Sequence, residues 1–343
     1  MRLGVLDVGS NTVHLLVVDA YRGAHPTPAH SEKTVLRLAE HIDGAGRLTR
    51  RGADALVESV AVACRSARER GCDDLLAFAT SALRDARNGV RVLDRVRKET
   101  GVELQLLTGP DEARLTFLAV RRWLGWSAGR LLVLDIGGGS LELACGLDEE
   151  PELAESVPLG AGRLTRERLR GDPPRRDAVS ALRLEVDRTL AAPAERARAL
   201  GHADRVAGTS KTFRSLARLA GAAPSSAGPM ARRELTASGL RQVIGFISRI
   251  PAADLAQIEG VSPARAHQLL AGAVVAEACM RALRLDVIEV CPWALREGLI
   301  LRRLDWLSTA SDPNVIEADA GLLHPPELET RRLTLMEARH GHA

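Results

Sequence analysis

One pattern, an apolar strand, an acid, a run of small residues and a second apolar strand, occurs twice in this chain. The first copy is LGVLDVGSNTVHLLVVD at residues 3–19, and the second is LLVLDIGGGSLELACGL at residues 131–147. A shift of 128 positions superimposes the copies and places Asp7 on Asp135. Two hairpins with an acid at the same offset indicate a duplicated unit. Two such units predict a cleft between them, and clefts between domains are common ligand sites.

Both turns have the chemistry of a phosphate site. Glycine has no Cβ, so the backbone of such a turn can approach a ligand closely, and its N–H groups and neighbouring hydroxyls can hold phosphate oxygens. An Asp at the end of the strand can hold a hydrated divalent cation against those oxygens. A single copy is commonly only a structural turn that requires Gly, but two copies favour a ligand site. The turn residues are Gly9, Ser10 and Asn11 in the first copy and Gly137, Gly138, Gly139 and Ser140 in the second.

The length and the order of strand and helix patterns predict two α/β domains. A chain of 343 residues exceeds one ordinary hydrophobic core. Strand and helix patterns alternate along it, and a new unit opens after GWSAG. We predict a first domain at 1–127, a second at 128–310 whose last helix can pack back on the first, and a peripheral tail at 311–343. Helices are predicted over 49–70, 110–123 and 263–283.

Composition excludes several classes of protein. The formal charge of +3 is too small to indicate wrapping by nucleic acid, and no apolar run reaches the length of a membrane span. The five cysteines form no C-x-x-C pair, which argues against a zinc knuckle or a disulfide framework. The N-terminus enters a strand directly, without the pattern of a signal peptide. We therefore expect a cytoplasmic protein that binds neither nucleic acid nor membrane.

Three further motifs have both a structural and a functional interpretation. In GPDEARL, Pro110 suits a first helical turn, and Glu112 there satisfies the positive end of the helix as a surface acid would. In TSALRDA, Arg84 is compatible with a solvated helix position. VAGTSKT lacks the Gly-Lys pair of a P-loop, although its helix N-terminus can bind an anion. Lys211 in that motif is equally compatible with solvent and with an anionic ligand.

The two hairpins resemble the phosphate-binding hairpins of the actin, sugar-kinase and heat-shock-chaperone ATPase superfamily. ATSALRDARN (79–88), GPDEARLTFLAV (109–120) and WALREGLIL (293–301) add a narrower resemblance, to the exopolyphosphatase and guanosine pentaphosphate phosphatase family. The resemblance covers roughly residues 1–310. It implies two duplicated actin-like (ribonuclease H-like) domains with a cleft between them.

The resemblance also implies a reaction, in which the terminal phosphoanhydride of inorganic polyphosphate is hydrolysed with Mg²⁺ and orthophosphate is released. It implies that Glu112 activates the attacking water and that Arg84 binds a phosphate of the substrate. Asp135 would organise Mg²⁺, with Asp7 and Glu142 orienting its water shell. The substrate-binding set that it implies comprises Gly9, Ser10, Asn11, Gly137, Gly138, Gly139, Ser140, Gly208, Lys211 and Arg265.

Other functions remain open at this stage. Guanosine pentaphosphate is an alternative or second substrate, and a small-molecule kinase of the same superfamily is a further alternative, although the sequence has no convincing nucleotide or acceptor signature. A slow ATPase module of a filament or chaperone system would need inserted subdomains, for which the folded length leaves little room. An acid is common in the family where this chain has His267, so no role is assigned to it. A homodimer is the default assembly.

Overall fold

The structure, a computed structural model, describes residues 1–21 and 26–310, so the predicted tail at 311–343 lies outside the described residues. The strands are β1 (Arg2–Val8), β2 (Thr12–Asp19), β3 (Pro28–Val35), β4 (Asp74–Ala79), β5 (Gln105–Leu106), β6 (Leu131–Ile136), β7 (Leu141–Gly146), β8 (Leu153–Val157), β9 (Arg205–Thr209), β10 (Glu234–Thr236) and β11 (Val287–Val290). The α-helices are α1 (Arg50–Glu69), α2 (Ser81–Arg84), α3 (Gly89–Thr100), α4 (Gly109–Leu124), α5 (Ala161–Arg168), α6 (Arg176–Ala199), α7 (Ser210–Leu219), α8 (Ala237–Ile247), α9 (Ala252–Leu255), α10 (Leu269–Ala282) and α11 (Leu295–Ala310). The predicted α/β class is confirmed.

The strands form two sheets with the same internal order. The first runs β3-β2-β1-β4-β5, and the second runs β8-β7-β6-β9-β11 with β10 added at its edge. In both sheets the first three strands pair antiparallel, and the next strands pair parallel through helical crossovers. We call the unit around the first sheet the first lobe and the unit around the second sheet the second lobe. The position of the domain boundary stays a prediction.

Each predicted hairpin forms in the predicted register. Asp7 lies opposite His14 in the β1–β2 pair, and Asp135 lies opposite Glu142 in the β6–β7 pair. Equivalent backbone hydrogen bonds close the two turns. The Gly9 N–H donates to the Thr12 carbonyl at 2.9 Å, and the Gly137 N–H donates to the Ser140 carbonyl at 2.9 Å. The two copies therefore share backbone geometry as well as sequence.

Helix α4 packs between the two sheets and carries its first turn into the cleft. Thr108 caps the helix, since its hydroxyl accepts from the Asp111 N–H at 3.3 Å. Phe117, on the same helix, is fully buried in a cluster with β6 and β7, whereas Leu115 packs with β1 and α11. Both lobes therefore hold α4 in place, and its first turn is a rigid position for a functional side chain.

The prediction of one helix over 263–283 is wrong. Residues Pro263–Gln268 form a 3-10 helix, and α10 begins only at Leu269. The side-chain N–H of Gln268 donates to Asn11 Oδ1 at 3.1 Å, a contact with the first lobe at the point where the helix type changes. The other two predicted helices form, as α1 and α4. Among the described helices, none is long and apolar enough to cross a membrane.

Candidate active site

The two phosphate turns face each other across the cleft at van der Waals distance. A Cβ added at Gly138 would lie 2.9 Å from Asn11 Nδ2 and 2.9 Å from Ser10 Cβ, and one added at Gly139 would lie 2.4 Å from Ser81 Oγ. Ser10 Oγ is 2.9 Å from Ser81 Oγ, which ties the first turn to the start of α2. Only glycine allows the second turn this close to the first. The structure thus brings both predicted turns together at one place.

Asp7 and Asp135 lie at the ends of β1 and β6, on the floor of the cleft. Burial raises the pKa of each carboxyl, and the negative charge of Asp7 adds to the rise at Asp135. The Thr209 hydroxyl donates to Asp135 Oδ2 at 2.6 Å and opposes that rise. The Asp7 carboxylate accepts no hydrogen bond from residues 1–21 or 26–310. Two carboxylates with spare acceptor capacity therefore sit at the bottom of the site.

Glu112 is a buried acid and not a surface acid. It lies in the first turn of α4, 8% of its surface is exposed, and its carboxylate pairs with the Arg84 guanidinium. Arg84 also donates to the Leu107 carbonyl at 3.1 Å. Burial raises the pKa of Glu112 well above its usual range, the charge of Glu142 raises it further, and Arg84 partly lowers it again. A carboxyl with a raised pKa in a cleft has the properties of a general base.

Glu142 is the acid next to Glu112 in the second lobe. Its side chain points into the cleft from β7 and accepts from the Ser156 hydroxyl at 2.9 Å. Burial, with the charge of Asp135 next in size, raises its pKa to about 7. Within the cleft, Asp7, Glu112, Asp135 and Glu142 thus influence one another electrostatically.

The acids of the cleft suit the way in which Mg²⁺ binds at phosphate sites. Mg²⁺ usually keeps several waters and is held by one or two carboxylates together with the phosphates of the substrate. In the part of the chain that the structure describes, no cluster of three or more potential ligands forms a ready-made protein cage. Asp7 and Asp135, which retain free acceptor capacity, supply the smaller donor set that such a site needs. The residues present therefore fit the ion.

Basic side chains from both lobes surround the acids. Lys211 and Arg265, both predicted, lie near Arg214, which also donates to the Pro292 carbonyl at 2.9 Å. Burial lowers the pKa of Lys211, and the positive charges of Arg214, Lys33 and Arg265 lower it further. Arg296 adds another positive charge near Asp7. Sequence reasoning missed Lys33, Arg214 and Arg296, because nothing local distinguishes them from the many solvated basic residues.

A cavity of about 270 Å³ opens beside the two turns. Ser10, Asn11 and Glu40 line it from the first lobe, and Gly138 and Arg166 line it from the second. His267 and Gln268 complete part of its wall.

Gly208, like Lys211 and Arg265, is a predicted binding residue outside the two turns. It is within β9, where an added Cβ would be 2.7 Å from the Phe213 ring and 2.8 Å from Ile288. Close packing between strand and helix accounts for this glycine.

Comparison with known proteins gives three findings. The profile of the Ppx/GppA phosphatase family matches residues 17–307. The chain is 63% identical over 320 residues to Exopolyphosphatase 1 of Mycobacterium bovis, which covers 93% of this chain and 92% of the relative. It is 27% identical over 305 residues to the guanosine-5'-triphosphate,3'-diphosphate pyrophosphatase of Aeromonas hydrophila, covering 86% of this chain and 58% of that relative.

Among solved structures, the crystal structure of an exopolyphosphatase from Cytophaga hutchinsonii superimposes with a TM-score of 0.81. The two are 25% identical, and the match covers 89% of this chain and 98% of the other. This likeness, together with the matching strand order of the two sheets, confirms the expected fold of two actin-like lobes.

Proposed function

We propose that this chain, which belongs to the Ppx/GppA phosphatase family, is an exopolyphosphatase in which Glu112 activates the attacking water. The family membership and the identity to exopolyphosphatases support the reaction. The observation that carries the assignment of roles is the pair of Glu112 and Arg84. A buried carboxylate with a raised pKa and a guanidinium stand together beside two facing phosphate turns.

In the proposed mechanism, substrate binding changes the ion pair between Arg84 and Glu112 and thereby makes Glu112 a stronger base. In the structure Arg84 holds the carboxylate, which favours its ionised form. A terminal phosphate in the turns is a second anion for Arg84, and guanidinium groups bind phosphate oxygens with paired hydrogen bonds. As Arg84 moves to the phosphate, the pKa of Glu112 rises, because the charge that lowered it has left. The carboxylate then becomes a stronger base while the water stands next to it.

The proposed step balances in protons and electrons. Glu112 accepts a proton from water as the water oxygen attacks the terminal phosphorus in line with the bond that breaks. The electron pair of that phosphorus–oxygen bond stays on the bridging oxygen, which becomes the new end of the shortened chain. Orthophosphate leaves, and Glu112 returns its proton to solvent. Phosphoryl transfer of this kind depends on positioning and charge neutralisation more than on covalent catalysis.

The remaining charged residues divide into two proposed roles. Asp135 would organise Mg²⁺, with Asp7 and Glu142 orienting its water shell, and the ion when bound neutralises charge on the phosphate oxygens. Lys211, Arg265 and the turns would hold the polyphosphate. Lys33 and Arg214 extend the same positive surface and are the proposed contacts for phosphates farther along the chain. A linear polyanion matches a row of fixed cations better than a compact phosphate ester does.

Guanosine pentaphosphate is the second candidate substrate. The similarity to the Aeromonas hydrophila pyrophosphatase favours it, and its terminal phosphoanhydride presents the same reacting group as polyphosphate. A cytoplasmic homodimer remains the proposed setting.

The experiment that tests the function is a comparison of substrates. Phosphate release would be measured from short polyphosphate, long polyphosphate, guanosine pentaphosphate and ATP, each with Mg²⁺ and with excess chelator. We expect release from polyphosphate with Mg²⁺ and little from ATP. Faster release from guanosine pentaphosphate than from every polyphosphate would reverse the order of the two candidates, and release from ATP alone would refute both.

A further inference from the structure

Three ion pairs and one hydrogen bond in series connect Glu112 of the first lobe to the second phosphate turn. Arg84, the partner of Glu112, has its Nε 3.6 Å from Asp85 Oδ1. The other oxygen of Asp85 pairs with the guanidinium of Arg163. Arg163 in turn donates from Nε to the carbonyl of Gly139 at 2.9 Å. The order of contacts is therefore base, arginine, acid, arginine and turn.

Arg163 is firmly attached to the second turn. It lies at the start of α5, and its backbone N–H donates to the Gly138 carbonyl at 2.9 Å. A Cβ added at Gly160, just before this helix, would lie 2.2 Å from the carbonyl carbon of Gly139. The start of α5 and the second turn therefore move as one body. The Arg163 side chain, which extends from α5 towards the first lobe, therefore has a fixed position relative to the second turn.

Asp85 is attached equally closely to Arg84. It is the next residue, it ends the single-turn helix α2, and its N–H donates to the Ser81 carbonyl at 2.9 Å. Ser81, at the start of α2, contacts Ser10 of the first turn. A contact between Asp85 and Arg163 thus joins the element that carries Arg84 to the opposite lobe.

The charges around Arg84 explain why this contact matters. Arg84 lies between two carboxylates, Glu112 on one side and Asp85 on the other. Arg163 neutralises Asp85, which leaves Arg84 to Glu112 and to an incoming phosphate. Without Arg163, the unpaired carboxylate of Asp85 would compete with Glu112 and with the phosphate for the Arg84 guanidinium. Asp85 would then hold Arg84 away from Glu112 and from the phosphate.

We propose that Asp85 and Arg163 are positioning residues of the hydrolysis, whose ion pair aligns Arg84 with the second phosphate turn when the two lobes close. The inference rests on the proposed function, because it concerns the same reaction. Neither residue contacts the reacting atoms. Their effect on the rate passes through Arg84.

The experiment measures kcat and KM for long polyphosphate, together with the melting temperature, in a small set of variants. Arg163→Ala should lower kcat by about 10²-fold, the effect of displacing a catalytic group by roughly an ångström. KM should change little, because the basic residues that hold the chain are intact. Arg163→Lys keeps the charge but cannot bind Asp85 and the Gly139 carbonyl as a fork, so its kcat should be intermediate. This variant also serves if Arg163→Ala does not fold.

Two further variants separate positioning from a general loss of structure. Arg168→Ala removes an arginine from the same helix whose partner is Glu185, at 2.6 Å on the surface, so kcat should stay at the wild-type value. The double variant Arg163→Ala with Asp85→Asn should have a higher kcat than Arg163→Ala alone, because the competing charge is gone. A purely structural role predicts no such recovery.

The outcomes separate a failure of the positioning role from a failure of the proposed function. Equal kcat in Arg163→Ala, Arg168→Ala and the wild type would overturn the positioning role, as would a kcat in the double variant no higher than that of Arg163→Ala. If the wild type releases no phosphate from any polyphosphate, the proposed function itself fails. The two failures are therefore distinguishable in one set of measurements.

Discussion

Replacing Glu112 by Gln tests the assignment of the base most directly. Glutamine has the size of glutamate and still presents an oxygen to the Arg84 guanidinium, so the contacts of the buried side chain are retained. It cannot accept a proton from water at neutral pH. The substitution therefore removes the proposed chemistry and leaves the geometry of the site in place.

The structure predicts opposite signs for activity and stability in this variant. A general base contributes ~10² to 10⁴-fold to a rate, which corresponds to about 3 to 5 kcal/mol of the barrier. Burial raises the pKa of Glu112, so the ionised carboxylate costs the folded state free energy at neutral pH. Glutamine removes that cost. We expect kcat to fall by two to four orders of magnitude while the melting temperature at pH 7.5 stays the same or rises.

The assay is phosphate release from polyphosphate with Mg²⁺, combined with calorimetry at the same pH. Asp111→Asn is the matched control, since Asp111 occupies the same helical turn but is only half-buried and pairs with Arg114 at 3.3 Å. Surface changes of this type alter stability by about 0.5 kcal/mol or less, and kcat should be unchanged. Near-normal kcat in Glu112→Gln would refute the assignment, and Glu142→Gln and Asp7→Asn would then be examined as the base.

Three further predictions concern the floor of the cleft and the packing against its second turn, and a fourth concerns an exposed glycine. Because the pKa of Glu142 rises from 4.5 to about 7 on folding, its contribution to stability is greatest below pH 4.5 and is lost as the pH rises towards 7. In excess chelator, the free energy of unfolding of the wild type should fall by about 3 kcal/mol more between pH 4.5 and pH 8 than that of Glu142→Gln. Urea unfolding at the two pH values measures this difference, and an equal fall in both proteins would contradict the raised pKa. Asp135→Asn should stay folded but lose phosphate release that the wild type shows with Mg²⁺ and lacks in chelator; full wild-type turnover in chelator would remove the metal from the reaction. Gly160→Ala should cost about 1 to 3 kcal/mol and weaken the rise in melting temperature caused by polyphosphate, since its Cβ would lie 2.2 Å from backbone atoms of the second turn. Gly245→Ala, on an exposed helix face with no atom within 4 Å, should instead stabilise the protein by about 0.5 to 1 kcal/mol.

The parts of the fold that local chemistry determines could be predicted from the sequence. The hairpins follow from apolar runs on either side of glycine turns, and the start of α4 follows from its capping threonine and Pro110. A repeated acid at the same offset indicated that the two turns belong to one cleft. The turn and capping signals lie within a few residues of one another, and the repeat is found by comparing two short segments 128 positions apart.

Long-range contacts explain what the sequence could not predict. The break before α10 coincides with a hydrogen bond between Gln268 and Asn11, which are 257 residues apart. Arg163 meets Asp85 across 78 residues, and no local pattern marks Arg163 as its partner. Lysine occurs only three times among 47 basic residues, so one more arginine carries little information by itself. Burial of Glu112 likewise depends on packing of α4 between two sheets, which its helix-start position does not indicate.

The two copies of the hairpin carry side chains of different chemistry at one equivalent position. Opposite the acid of the first strand stands His14 in one copy and Glu142 in the other. Both make the same contact, since His14 Nε2 is 2.7 Å from Ser31 Oγ and Glu142 Oε1 is 2.9 Å from Ser156 Oγ, each serine lying on the third strand of its lobe.

The shared contact preserves the backbone, and the exchanged side chain changes the charge. A second glutamate at position 14 would add a fifth carboxylate to a cleft whose acids already raise one another's pKa. The histidine avoids that cost in the first lobe, which supplies Glu112 and Arg84 instead. Glu142 and the glycine turn come from the second lobe. Because neither lobe contains the complete set, we argue that hydrolysis requires the closed cleft, and that duplication followed by this divergence produced one asymmetric site from two similar halves.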